Sequence, residues 1–242
     1  MIQLPDAYDL RHFYNSLQGK IVRRLLRQRI SSRWPDCKSM SVLGYGYALP
    51  YLEPYKKEAE RTVSIMPSQL GVHNWPQLEK NLVCAGQEDL IPLETNSIDR
   101  IIAVHCLEFL DKPNDTFQEL WRILKSNGRL ILIVPNRVGL WARSDHSPFG
   151  QGQPYSTRQL EHFLKENLFV HEHTSYSLYM PPFRGNLLLR TADLFEKMGR
   201  FIFPGCGGVQ IIEISKQIYA GTGKAVPSLA KKVIPVKPAT TR

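Results

Sequence analysis

Cysteine is scarce in this chain. Cys37, Cys84, Cys106 and Cys206 are scattered through 242 residues, too far apart for a disulfide framework or a zinc-type pair. Cys84 and Cys106 lie in apolar runs and are expected as small buried hydrophobes, the usage of a reducing compartment. No stretch approaches the ~20 apolar residues of a membrane span. The opening Met-Ile-Gln-Leu-Pro-Asp lacks the apolar segment of a secretory signal. A cytoplasmic location is the expectation. His171 and His173 stand two apart, but no cysteine or carboxylate cluster completes a metal set, so no metal is expected. No nucleophile turn marks a Ser-His-Asp arrangement, and no segment repeats. Acids are outnumbered, with Asp+Glu 22 against Lys+Arg 31 and a net charge of +9. That excess favours anionic partners without choosing among nucleic acid, a membrane surface and an acidic small molecule.

What is present reads as alternating strands and helices. Residues 6–30 carry Leu10, Phe13, Tyr14, Leu17, Ile21, Leu25 and Leu26 at helical spacing, with Lys20, Arg23, Arg24, Arg27 and Arg29 on the polar side. That basic side reads either as a solvated helix face or as a patch for phosphates. Strands are expected at 39–43, 62–66, 81–85, 98–105 and 129–134, the last two continuously apolar as in a buried parallel sheet. Helices are expected at 48–60 and at 115–124, the latter stopping at Asn127-Gly128. Further on come a helix at 156–167 with Ser156 as its N-cap, a strand at 169–180, a helix at 187–203 and a strand at 208–219. This order predicts an α/β fold with a doubly wound, mostly parallel sheet. The expected organisation is an N-terminal helical extension over 1–37, an α/β domain over 38–221 and a disordered basic tail over 222–242.

The first candidate site is Val42-Leu43-Gly44-Tyr45-Gly46-Tyr47-Ala48. Glycines after a first strand allow a tight turn and close approach of backbone to a ligand, and the next helix presents free N–H groups. His105 ends the fourth strand, on the edge where such sheets place ligands. It reads as a general base or equally as a structural histidine, with Glu108 placed to orient it or to cap the next helix. Asn136 follows the fifth strand and is expected to face the same crevice and meet the substrate. The loop 141–155 is dense in Trp141, Arg143, Asp145, His146, Phe149 and Tyr155. It reads as a lid or recognition loop, in which Arg143, His146 and Tyr155 would meet a substrate, or as a structural cover packed through Trp141 and Phe149.

Three stretches together resemble the class I S-adenosylmethionine-dependent methyltransferases, especially their small-molecule branch. They are the Gly44–Gly46 turn, Glu88-Asp89-Leu90 followed by Asn96-Ser97-Ile98-Asp99, and Glu119-Leu120-Trp121-Arg122-Ile123-Leu124-Lys125 leading to Gly128-Arg129-Leu130. The resemblance covers residues 38–136 and implies the Rossmann-like methyltransferase fold, S-adenosylmethionine as cofactor and a small-molecule acceptor. It implies that Gly44, Tyr45 and Gly46 hold the methionine end, and that Met66, Gln87, Glu88 and Asp89 surround ribose and adenine. The chain departs from the pattern where the family carries acids. Val42 precedes the glycines, Met66 stands where an acid holds the ribose hydroxyls, and Gly86 stands near the adenine position. Thioether sulfur is a poor acceptor, and an unpaired ribose hydroxyl costs ~1–3 kcal/mol. Glu88 and Asp89 read as substitutes for the lost acid or as ordinary caps of a short helix. Two functions remain: a methyltransferase, or a catalytically inactive methyltransferase-like binding or assembly protein. Either would attract anionic polymers or membranes weakly and non-specifically, with no specific nucleic-acid binding expected.

Overall fold

The structure is a computed structural model that describes residues 5–182 and 191–218. Seven strands form one sheet in the order β3-β2-β1-β4-β5-β7-β6. In chain order they are β1 (Ser41–Gly46), β2 (Arg61–Pro67), β3 (Val83–Gly86), β4 (Ile98–Val104), β5 (Leu124–Pro135), β6 (Phe169–Ser177) and β7 (Val209–Lys216). The first five are parallel; β7 runs antiparallel to β5 and to β6. The chain winds outward from β1 to β3, then crosses back to β4. The switch point therefore lies between β1 and β4, where Gly46 is in register with Val104.

Alternation along the strands decides which face each side chain covers. Val42, Ile102, Val104, Ile131, Ile133 and Ile211 bury one face, under the helices α1 (Ala7–Asn15), α2 (Leu17–Arg33) and α3 (Leu49–Glu58). Leu43, Ile101, Ala103, Leu130, Leu132 and Ile212 bury the other, under α4 (Pro113–Ile123) and α5 (Thr157–Glu166). A sixth helix, α6 (Ala192–Ile202), precedes β7. Ser156 caps α5 through a reciprocal box with Gln159.

The single helix expected over 6–30 is two helices. Ser16 adopts extended backbone, its hydroxyl caps Gly19 N–H, and the chain turns there. A Cβ on Gly19 would lie 2.0 Å from the Phe13 carbonyl oxygen, so glycine lets the two helices cross closely. The far end of α2 is tied to the sheet. Arg33 Nε and Trp34 Nε1 each donate to buried Glu213 at 2.9 Å. Helix α4 ends at Ile123 rather than at Asn127-Gly128, because Leu124 already pairs with Ile98 and Lys125 bridges Asp99 at 2.8 Å. Cys84 is exposed rather than buried, since β3 is an edge strand with little covering it. The helix expected at 187–203 is observed over Ala192–Ile202, and residues 187–190 of the expected span lie outside the described residues. So does the tail at 222–242.

Candidate functional site

In a doubly wound sheet the crevice for a ligand opens beyond the carboxyl ends of the strands at the switch point. Here that crevice is filled by Tyr14 of α1. Its ring stacks on Tyr47, which follows β1, with centroids 5.8 Å apart. Its hydroxyl meets His105 Nε2, at the end of β4, at 2.8 Å and Tyr51 Oη at 2.8 Å. Behind the imidazole, Glu108 Oε1 stands 3.4 Å from Nδ1, and both side chains are fully buried. Phe149 from the 141–155 loop lies over His105 with ring centroids 4.6 Å apart.

The chemistry of this cluster follows from burial. Burial first, then the neighbouring Tyr51, pushes the Tyr14 hydroxyl far above its ordinary value, so it remains a neutral donor. Burial does the same for Tyr51. A proton on Nδ1, the nitrogen nearer Glu108, would leave Nε2 to accept from Tyr14 and Tyr14 to accept from Tyr51. Neither His105 Nδ1 nor Glu108 Oε1 makes a well-directed hydrogen bond, so the pair is not fully satisfied in this arrangement. His105 also has a left-handed backbone, φ +49°. A non-glycine residue held there stores conformational energy, and such residues concentrate at working sites. The Cys106 thiol beside it is pushed up, by burial and then by the Glu108 charge.

The other residues singled out by sequence fall in several places. Gly46 has φ +73°, and a Cβ there would lie 2.4 Å from the Val104 carbonyl oxygen. Its tight approach is to β4 of the same chain. A Cβ on Gly44 would meet the Leu52 side chain. Tyr45 and Met66 are fully buried, Tyr45 on the α4 face of the sheet and Met66 on the α3 face. The Met66 side chain thus lies in the core, in the same buried cluster as the Tyr14 and Tyr47 rings. Glu88 accepts from Lys112 N–H at 3.0 Å and Asp89 pairs with Lys112 Nζ at 3.1 Å, which fixes the turn into α4. Gln87 is exposed. Asn136 is buried and donates both amide hydrogens, to the carbonyls of Gly205 and Gly207 at 2.9 and 2.8 Å. Arg143 and His146 are exposed. His146 lines a separate cleft between α1 and the loop. Tyr155 is half-buried, and its hydroxyl is pushed up by burial and then by Glu108. Trp141 is fully buried and donates to the Met180 carbonyl at 2.7 Å. The 141–155 loop is thus both packed into the core and laid over His105.

Sequence reasoning placed Tyr14 on an apolar helix face and gave it no role at the site. It is brought to His105 across 91 residues of chain, and no local spacing signals such a contact. What remains open beside His105 is a crevice of about 10 Å3 between Pro67, Glu88, Cys106 and Phe109. Pockets that hold cofactors usually offer ~300–1,000 Å3. Among the described residues no group of three or more His, Cys, Asp or Glu could hold a metal ion. No described helix is long and apolar enough to cross a membrane.

Residues 42–132 match a family profile described as a methyltransferase domain. No curated protein matches the chain by sequence. Solved structures share the fold. An S-adenosylmethionine-dependent methyltransferase from Thermotoga maritima superposes with a TM-score of 0.61 at 16% identity, over 87% of this chain and 95% of the other. One from Archaeoglobus fulgidus gives 0.58 at 16% identity, over 87% and 100%. The geranyl diphosphate C-methyltransferase of Streptomyces coelicolor, solved with Mg2+, geranyl diphosphate and S-adenosyl-L-homocysteine, gives 0.53 at 13%, over 79% and 76%.

Proposed function

We propose that this chain, which shares the methyltransferase fold and matches a methyltransferase-domain profile over residues 42–132, methylates a small molecule with S-adenosylmethionine and is closed over its own crevice by α1. The observation that carries the reading is the buried Glu108–His105–Tyr14 chain at the switch point, with His105 held in a left-handed backbone. An imidazole held in place by its backbone, with a carboxylate 3.4 Å behind it, is suited to accepting a proton. Its outward nitrogen is the one that Tyr14 covers.

In this closed arrangement the crevice does not fit the cofactor. The ring of Tyr14 fills the gap between Tyr47 and His105, and about 10 Å3 remain near Glu88. Met66 offers no acceptor from the core. Of the family's ribose-holding chemistry, the Glu88 carboxylate is the acid that lines the crevice. Access therefore requires α1 to swing away about Ser16, the extended residue that caps both α1 and α2. That movement would uncover His105 Nε2 and leave Glu108 behind Nδ1 to hold the tautomer. The S. coelicolor relative, with its small organic substrate and S-adenosylhomocysteine, supports both the cofactor and the small-molecule reading. The excess positive charge adds weak, salt-sensitive attraction to anionic polymers or membranes, without sequence-specific nucleic-acid recognition.

A second reading is favoured by the filled crevice together with the missing family acids: a binding or assembly protein that no longer takes the cofactor. Calorimetric titration with S-adenosylhomocysteine separates the two. Saturable binding to the full chain, or to a Tyr14→Ala variant that retains its fold, supports the enzyme. No binding by either at millimolar ligand overturns it.

A further inference from the structure

The arginines of the N-terminal helices fall into two sets. Arg24, Arg29 and Arg33 each face an acid, Asp193 at 3.0 Å, Glu196 at 4.0 Å and Glu213 respectively. Arg11, Arg23 and Arg27 have no acidic partner among the described residues. All three line one cleft of about 380 Å3, bounded by α2, the first turn of α3 and the loop carrying His73 to Gln77. Each is half-buried rather than spread into solvent. Arg27 Nε donates to the Pro50 carbonyl at 2.7 Å, which fixes its guanidinium at the cleft. Burial, and then the charge of Arg23, push its ionisation down. Positive charge is thus concentrated and partly desolvated, three arginines against the single carboxylate of Glu53 on the lining, a condition that an anion relieves. Glu53 also borders the cleft; its carboxylate stands 3.6 Å from Lys56, and its charge offsets part of the downward push on Arg27. The first turn of α3 has no side-chain cap, and its partial positive end opens here.

We propose that this cleft binds a small phosphomonoester carrying a flat ring. Three arginines line one cleft, and a phosphomonoester offers three terminal oxygens where a carboxylate offers two. Half-buried Trp75 supplies an aromatic wall on which a ring can lie. The volume is at the small end of the range for ligand pockets, enough for a ring and a phosphate. The site does not depend on the methyltransferase reading. It shares only the Tyr14 and Tyr47 wall with the crevice.

The full chain is titrated with phenyl phosphate by calorimetry and by tryptophan fluorescence, with inorganic phosphate, phenol, benzoate and phosphatidylglycerol vesicles in parallel. Phenyl phosphate is expected to bind at one site, about tenfold tighter than inorganic phosphate, phenol or benzoate. Arg23→Gln and Arg11→Gln, each melting like the parent, are expected to weaken it about tenfold. Trp75→Phe is expected to abolish the fluorescence change. Equal affinity for benzoate, unchanged affinity in both folded arginine variants, or a response to vesicles alone overturns the proposal.

Discussion

Replacing Tyr14 by Phe tests whether α1 gates the crevice. The substitution keeps the ring that stacks on Tyr47 and removes the hydroxyl that bonds His105 and Tyr51, each at 2.8 Å. Two buried polar atoms lose a partner, His105 Nε2 and Tyr51 Oη. Leaving a buried group unsatisfied costs ~1–3 kcal/mol, and because removing the hydroxyl also relieves its own desolvation, the net cost for the pair is taken as ~1–3 kcal/mol. If α1 must lift before ligand enters, the same energy is removed from the closed state, and the open fraction rises by that factor. Apparent affinity scales with the competent fraction. S-adenosylhomocysteine should therefore bind ~5–150-fold tighter to Tyr14→Phe than to the parent. Over the same range the melting temperature should fall by ~2–12 °C, taking ~2–4 °C per kcal/mol for a chain of this size. Calorimetry and a thermal melt on the same preparation read both. A lowered melting temperature with unchanged or weaker affinity would refute gating by α1. An unchanged melting temperature would show that Tyr14 does not dock on His105.

Three other outcomes follow from the packing. Gly46→Val should lose about 2–5 kcal/mol, because its Cβ would meet the Val104 carbonyl at 2.4 Å in a left-handed backbone; a urea titration matching the parent contradicts this. Met66→Asp should unfold or strongly destabilise the chain without tightening S-adenosylhomocysteine, since the carboxylate would be buried unpaired in the core. A stable variant that binds tighter would place Met66 on the crevice after all. Burial alone would raise the Glu213 carboxyl, but its bonds from Arg33 and Trp34 outweigh that and hold it below the ordinary glutamate value of 4.5. Its stabilisation is therefore full above that value and is lost as pH falls through the lower folded value. The stability gap between the parent and Glu213→Gln should be wide at pH 7 and close under acid, and a gap independent of pH would rule this out.

The strand and helix order was legible in residue periodicity, because local alternation and turn chemistry determine it. Ser156 as a cap, the β1 turn and the buried β4 and β5 all follow from neighbouring residues. The methyltransferase-domain match over residues 42–132 was legible in the same way, from the turn at Gly44–Gly46 and the helix–strand run at 119–130. What the sequence alone could not determine depends on contacts far apart in the chain. The break at Ser16 looks like continuous helix by period, and only the crossing of α1 over α2, made close by Gly19, exposes it. Met66 and Asn136 end strands where ligands are often met, yet one points into the core and the other spends its amide on the carbonyls of Gly205 and Gly207. Cys84 reads as buried until β3 proves to be an edge. Tyr14 looks like one more apolar helix residue; packing against Tyr47 and His105 makes it the occupant of the switch point. Likewise the arginines of α2 look equivalent along the helix, and it is the placement of Asp193, Glu196 and Glu213 by the distant C-terminal half that pairs Arg24, Arg29 and Arg33 and leaves Arg23 and Arg27 without an ion pair among the described residues.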